Sequence, residues 1–329
     1  MTINQKVKEL KRILKIVKNT IYNTIKIIIS REPYIVAFWW AGIENWGDAL
    51  NPVLIENMTG KKPILSTEVL NIKKNDVYCV IGSVLGAISE ENVVVWGSGF
   101  ISSNSQFNVK PKEIYAVRGP RTRELILKSG IYCPEIYGDP AILYPCFYRP
   151  KIEKKYKLGI IPHYIDQNSP LLNIFKNEPS VLIIDIQSGV KKVVDDICSC
   201  ERIASSSLHG VIAADSYDIP AIWIEFSKNV AGNGFKFYDY FESVGRENEV
   251  PLIITQNTTI KEIIDQYKDY RIEFEINKFI DSCPFISNEE KIQLKEGIKD
   301  HKSSDINYKQ CNYSAFSKIQ LIDIVFNVE

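Results

Sequence analysis

Four polar clusters in this chain combine side chains that hold anions or move protons, and each falls at the end of a predicted strand. The most pointed is Ser205-Ser206-Ser207-Leu208-His209-Gly210. Histidine titrates near neutrality, so His209 can carry a proton or hold an anion; a capped, satisfied turn histidine is the structural alternative. His163 follows the run Lys157 to Ile161 in the equivalent place and carries the same two readings. A second cluster, Asn45-Trp46-Gly47-Asp48-Ala49-Leu50-Asn51, opens a helix. Its glycine admits close backbone approach, and a helix N-terminus offers unpaired N–H groups to an anion. Taken alone, Asp48 reads first as the N-cap of that helix, with Asn51 in the first turn. The third, Trp96-Gly97-Ser98-Gly99, suits a ligand lying close to the backbone or simply a tight turn. In the fourth, Val117-Arg118-Gly119-Pro120-Arg121, the arginine can grip phosphate or carboxylate through two parallel hydrogen bonds. A cation is otherwise disfavoured beside the positive end of a helix, which singles out Arg118, whereas Arg121 and Arg123 read as solvated.

Several chemistries are disfavoured. Ser205 to Gly210 is not a GxSxG elbow, no Walker lysine motif occurs, and no aromatic and basic interleaving suggests nucleic acid. Lysine plus arginine total 40 and aspartate plus glutamate total 40, so any anion site must be local. Cys198 and Cys200 form a lone CxC pair, too few ligands for a structural zinc, and no metal is expected. Seven cysteines without framework spacing, among them Cys79 in an apolar run, read as reduced thiols and favour the cytoplasm. Neither a secretory signal nor a membrane-spanning run of about 20 apolar residues is evident.

The elements that must position these clusters alternate. Tyr34 to Trp39, Asp76 to Ile81, Val93 to Trp96 and Ile114 to Val117 read as strands buried on both faces, with helices at about 48–58 and 120–129, the second closing at Gly130. A linker over Tyr144 to Lys155 follows. The alternation restarts with strands at Lys157 to Ile161, Val181 to Ile184, Arg202 to Ala204 and Ala221 to Glu225, and helices near 190–199 and 209–217. Two such halves predict an α/β protein with two Rossmann-like domains, spanning 31–148 and 149–285, that face a cleft. Beyond Gly245 the chain reads as mainly helical, over Lys261 to Tyr267, Glu289 to Asp300 and Ser314 to Val325, with 286–329 as a C-terminal helical segment. At the other end, Ile3, Val7, Leu10, Leu14, Val17, Ile21, Ile25 and Ile28 recur at steps of three and four among lysines, which makes 1–30 a basic amphipathic helix. It suits an anionic inner leaflet, contacted through residues 3–29, or a dock on its own domain or a second subunit.

Six segments in order resemble the polysaccharide pyruvyl transferases: ENWGDALNPVLIENMTG, VVVWGSGF, AVRGPRTRELILKSGI, YGDPAILYP, LGIIPHYID and IASSSLHGVIAADSYDIPAIWIEF. The resemblance covers roughly residues 34–245. It implies a GT-B-like fold and transfer of the enolpyruvyl unit of phosphoenolpyruvate to a sugar of a cell-surface polysaccharide precursor, exopolysaccharide or capsule, as a cyclic ketal. Phosphoenolpyruvate is then the donor substrate, no cofactor is required, and the acceptor is a glycan or lipid-linked oligosaccharide. His209 matches the family's donor-site histidine and Arg118 a basic position near the donor. On this basis His209 and Asp48 are the expected catalytic pair, and Ser206, Ser207, His163, Gly97, Ser98 and Lys228 join Arg118 around the donor. Asn45, Trp46, Asp139 and Glu225 are expected on the acceptor. Many members carry arginine where this chain has Ser207, so Lys228, Lys236 or Arg118 is expected to supply that charge. A nucleotide-sugar glycosyltransferase and a non-catalytic glycan-binding or assembly protein are the rival readings.

Overall fold

In the computed structural model, residues 33–303 are described apart from 43–44, 70–74 and 274, together with scattered helical positions between 14 and 25. The expected helix at Ser314 to Val325 lies outside the described residues.

The uninterrupted apolar runs became central strands. Val93–Trp96 (β4) and Leu158–Ile161 (β6) are buried at every residue, as strands covered on both faces must be. The first half runs β1 (Tyr34–Phe38), α1 (Trp46–Thr59), β2 (Lys62–Leu65), β3 (Val77–Cys79), β4, β5 (Glu113–Ala116) and α2 (Pro120–Lys128). The second runs β6, α3 (Asn173–Lys176), β7 (Val181–Ile183), α4 (Val190–Cys198), β8 (Ile203–Ser205), α5 (Leu208–Ser216), β9 (Ala221–Glu225), α6 (Phe235–Ser243) and β10 (Leu252–Ile253). Then come α7 (Ile260–Asp265), α8 (Ile276–Asp281) and α9 (Asn288–Ser303).

Each half builds a five-stranded parallel sheet, ordered β2-β1-β3-β4-β5 and β10-β9-β8-β6-β7. Numbered within its own half, each sheet has the same order, 2-1-3-4-5, and reverses direction between its first and third strands. In open α/β sheets that reversal leaves a crevice beyond the strands' carboxyl ends. The turns after β1 and β3, and after β6 and β8, are therefore where this fold presents side chains to a ligand.

Several elements differ from expectation. β2 carries Pro63 and lies at a sheet edge, where a missing N–H is tolerated. α6 has the sequence FKFYDYFES; its alternating aromatics mimic a strand period, and Gly234 at φ +78 starts it. Asn45, not Asp48, caps α1, its side chain accepting from the Gly47 N–H. Ser129 ends α2, and Gly130 follows it at φ +76.

The halves are tied together at named points. The Trp46 N–H donates to the Ile186 carbonyl at 3.1 Å and its indole Nε1 to the Val190 carbonyl at 3.0 Å. Tyr144, expected in a polar linker, is 1 % exposed and meets the Trp46 ring edge-on. The end of the chain returns to the first sheet: Phe279 of α8 stacks on Trp96 at 4.5 Å, and Trp96 Nε1 donates to the Phe279 carbonyl. Residue 279 thus completes the core of the first half, although its sequence position falls with the second.

Among the described residues no helix is long and apolar enough to cross a membrane. At the amino-terminal helical positions Leu14, Val17, Ile21, Tyr22 and Ile25 all stand exposed, while Thr20 is buried.

Candidate active site

A pocket of about 570 Å³ is lined by residues of both halves. Its wall takes Trp40, Asn45 and Asp48 from the segment after β1, and Ser83 from the turn after β3. From the second half come His163 and Tyr164 after β6, Ser207 and His209 after β8, and Lys236 from the first turn of α6. The fold thus brings Asn45, Asp48, His163, Ser207 and His209 to one pocket wall.

His209 sits in the first turn of α5, 8 % exposed, with Nε2 buried and lacking any hydrogen-bond partner. Gly47 packs directly against its imidazole, so that any Cβ at position 47 would overlap the ring. That close approach, between backbone of one half and a side chain of the other, is what the glycine provides. Ser206 accepts from the His163 N–H at 2.8 Å through its hydroxyl, and His163 Nδ1 accepts from the Ile165 N–H. Ser207 occupies the N-cap position of α5 without a side-chain capping bond.

The electrostatics correct one expectation. Neither histidine titrates near neutrality: burial first, then the Lys236 charge, pushes both His163 and His209 down to about 3. Both are neutral imidazoles at physiological pH. The groups that do titrate there are different. Burial raises Asp48 to about 7, outweighing hydrogen bonds from the Trp40 backbone and the Asn45 side chain and the nearby Lys236. Burial, aided by Arg118, lowers Lys236 to about 8, with Asp48 opposing. A carboxyl raised and an amine lowered into the range just at and above neutrality suit acid–base chemistry.

Arg118 has a different place from the one expected. It is fully buried, with Nε donating to Asp239 Oδ2 at 3.0 Å, one terminal nitrogen to Ser83 Oγ at 2.6 Å and the other to the Phe100 carbonyl at 2.6 Å. Asp239 is held further by the Thr122 N–H and hydroxyl. The arginine therefore acts as a strut between β5 and α6, and reaches the pocket only through Ser83 and its field. Lys236, one helical turn before Asp239, provides the amine in the pocket and makes no ion pair with a described residue. Lys228 does not: its side chain is 81 % exposed and pairs with Glu225.

The remaining expected residues lie outside the pocket wall. Gly97, at φ +97, lets Pro140 pack onto the turn, and a Cβ there would meet the Val80 carbonyl at 3.0 Å. Ser98 is fully buried with an unpartnered hydroxyl. Trp46 joins the halves as described above. Asp139 caps the turn Pro140–Cys146 by accepting from the Ala141 N–H; burial raises it to about 6. Trp40, Ser83, Asn104 and Gln106 line the pocket without having been singled out. Of these only Trp40, an exposed tryptophan after a strand, carried a local signal.

A model of the polysaccharide pyruvyl transferase family matches residues 10–228. The chain is 34 % identical over 215 residues to an uncharacterized protein of Acanthamoeba polyphaga mimivirus, covering 62 % of this chain and 72 % of that one. It is 29 % identical over 239 residues to the succinoglycan biosynthesis protein ExoV of Rhizobium meliloti, covering 70 % and 71 %. An uncharacterized protein from Klebsiella pneumoniae, of known structure, aligns with a TM-score of 0.42 at 13 % identity over 78 % of this chain and 100 % of that chain. With the family match spanning most of the chain and including every residue of the pocket wall except Ala231 and Lys236, this protein belongs to the polysaccharide pyruvyl transferase family and is a transferase.

Proposed function

We propose that the pocket transfers the enolpyruvyl unit of phosphoenolpyruvate to two hydroxyls of one sugar in a polysaccharide precursor, forming a ketal. One observation carries this reading: a neutral imidazole with an orphaned Nε2, a protonatable carboxyl and an unpaired amine line one pocket. The donor is an anion with an alkene to protonate. Lys236 and the N-terminus of α5 offer positive potential to its phosphate and carboxylate, which answers the absence of arginine at Ser207. Asp48, protonated up to about pH 7, gives its proton to the methylene carbon, making a methyl group. The first sugar hydroxyl bonds to the central carbon as His209 takes its proton, the donor's negative charge favouring the imidazolium that forms. The C–O bond to phosphate then breaks and the second hydroxyl closes the ketal; its proton restores Asp48, and the imidazolium proton leaves on phosphate.

The two sheets, with strand ends turned to a shared pocket, support a GT-B-like arrangement. The exposed apolar positions between Leu14 and Ile25, set among lysines in sequence, support contact with an anionic membrane surface.

Thermal shift with phosphoenolpyruvate, set against uridine and cytidine nucleotides, separates pyruvyl from glycosyl donors. Lys236→Met is expected to lower phosphoenolpyruvate affinity at least about tenfold, and Lys228→Met to leave it unchanged. A shift with nucleotides alone would overturn the donor assignment. Loss of the pyruvyl mass increment from the glycan in a His209→Ala strain, with the protein still folded, is the outcome expected of a catalytic histidine; an undiminished increment removes His209 from the chemistry.

A further inference from the structure

A second cavity, of about 650 Å³, opens at the opposite end of the first sheet. Open parallel sheets take ligands beyond the carboxyl ends of their strands, where the candidate active site lies. This cavity instead gathers residues that lead into the strands: Tyr34 starts β1, Lys61 precedes β2, Asn75 and Asp76 precede β3, and Lys112 precedes β5. Pro284 to Ser287, after α8, close one side. β1 is five residues long, which sets the two sites roughly 15 Å or more apart. The volume falls within the range of small-molecule sites, about 300–1,000 Å³.

The wall is anchored. Phe285 meets Tyr78 at 5.0 Å and Trp96 at 5.5 Å, both edge-on, so the returning segment is pinned to the core of the first half. The Lys61 N–H donates to Thr59 Oγ1 at 3.0 Å. The Tyr34 hydroxyl donates to Asn75 Oδ1 at 3.1 Å, which leaves the amide hydrogens of Asn75 for another acceptor. Lys112 Nζ donates to Asp76 Oδ1 at 2.6 Å, which holds the ammonium at the rim with two hydrogens to spare. Burial, then the Asp76 charge, raises the Tyr78 phenol, so it stays a neutral hydroxyl.

This lining has a definite chemistry. Two ammonium groups and an amide supply N–H donors, and the two lysines outweigh Asp76 by one charge among the described residues. A single excess positive charge matches a monoanion. Asp76 and the two phenols can in turn accept hydrogen bonds from hydroxyl groups. We propose that this cavity is a binding site, separate from the active site, for a phosphodiester of a polyol. Its two free phosphate oxygens would take the Lys61, Lys112 and Asn75 hydrogens, and the polyol would pair with Asp76 and the tyrosines. Such a group comes either as the headgroup of an anionic phospholipid or as a soluble diester. The site stands whether or not the active site takes phosphoenolpyruvate.

The test pairs two measurements on the full-length protein. Calorimetric titration at low ionic strength uses glycerophosphoglycerol, with glycerol as the uncharged control. Flotation uses phosphatidylcholine vesicles with and without phosphatidylglycerol. Glycerophosphoglycerol is expected to bind at least about tenfold more tightly than glycerol. Lys61→Met combined with Lys112→Met should weaken it about tenfold or more, and the Lys112 pair is exposed enough that its loss leaves the fold intact. Asn75→Asp, which keeps an acceptor for Tyr34 and replaces the N–H donors with a negative charge, should do the same. Lys236→Met, in the active-site pocket, should change nothing. Circular dichroism checks the fold of each variant. Phosphatidylglycerol-dependent flotation that falls in both cavity variants identifies the lipid as the source, and weakened titration with unchanged flotation identifies the soluble diester; each supports the site. If the cavity variants weaken neither measurement, if glycerol binds as well as the diester, or if Lys236→Met abolishes binding, the site is overturned.

Discussion

Replacing Asp48 with asparagine should make the protein more stable as the pH rises, while disabling it. In the folded protein Asp48 holds its proton to about 7, against an ordinary value of 3.8. A group raised on folding contributes stability that is complete below its ordinary value and is lost as the pH climbs through the raised one. Each pH unit between those limits is worth about 1.4 kcal/mol. Asparagine does not titrate, so its advantage over wild type should grow by about 2.7 kcal/mol between about pH 5 and pH 7, then level off. The amide also sets one of its own hydrogens against a donor, the Trp40 backbone or Asn45, costing about 1 kcal/mol. That cost is the same at every pH and drops out of the comparison. Urea unfolding of both proteins at about pH 5 and pH 8 measures the change. A stability gap that stays constant across that range would show that Asp48 ionises as an ordinary carboxylate, and the assignment of the methylene proton to it would fall with it. Wild-type transfer should decline above about pH 7 as Asp48 ionises, and Asp48→Asn should lose at least about 10²-fold at all pH values.

Other substitutions read the remaining contacts. Gly47→Ala should force the His209 ring aside by on the order of 1 Å and cost about 10²-fold in kcat/KM, with helix content retained by circular dichroism because alanine suits α1; full activity would show that position 47 does not hold the ring. Arg118→Met should destabilise by about 3–5 kcal/mol in urea, because Asp239 is left buried without its partner. Removing residues 1–30 should release the protein from anionic phosphatidylserine vesicles in a flotation assay, with unchanged partitioning counting against membrane contact.

How far the sequence reaches can be judged from individual residues. β4 and β6 were legible because a strand buried on both faces must be apolar throughout, and the position of His209 followed from the strand and helix that flank it. The burial of Arg118 was not legible because its partner, Asp239, lies 121 residues away, and no local spacing encodes such a pair. α6 hid behind its aromatic alternation, and with it the deep placement of Lys236. The histidines were assigned a neutral-range titration from residue type alone; burial and a lysine from another element reversed that, and neither is a local property. Trp46 and Gly97 looked like ligand contacts, yet their roles, joining the halves and admitting Pro140, depend on what the rest of the chain packs against them.

The stacking of Phe279 on Trp96 also bears on how the protein is made. Trp96 belongs to the first sheet, whose last strand ends at Ala116, but the ring that covers it is translated about 160 residues later. At a synthesis rate of about 5–20 residues per second, the nascent first half carries that uncovered surface for on the order of ten seconds or more. Its folding is therefore completed from the carboxyl end, and a premature stop anywhere before α8 leaves an apolar face that a chaperone must shield or a protease will find.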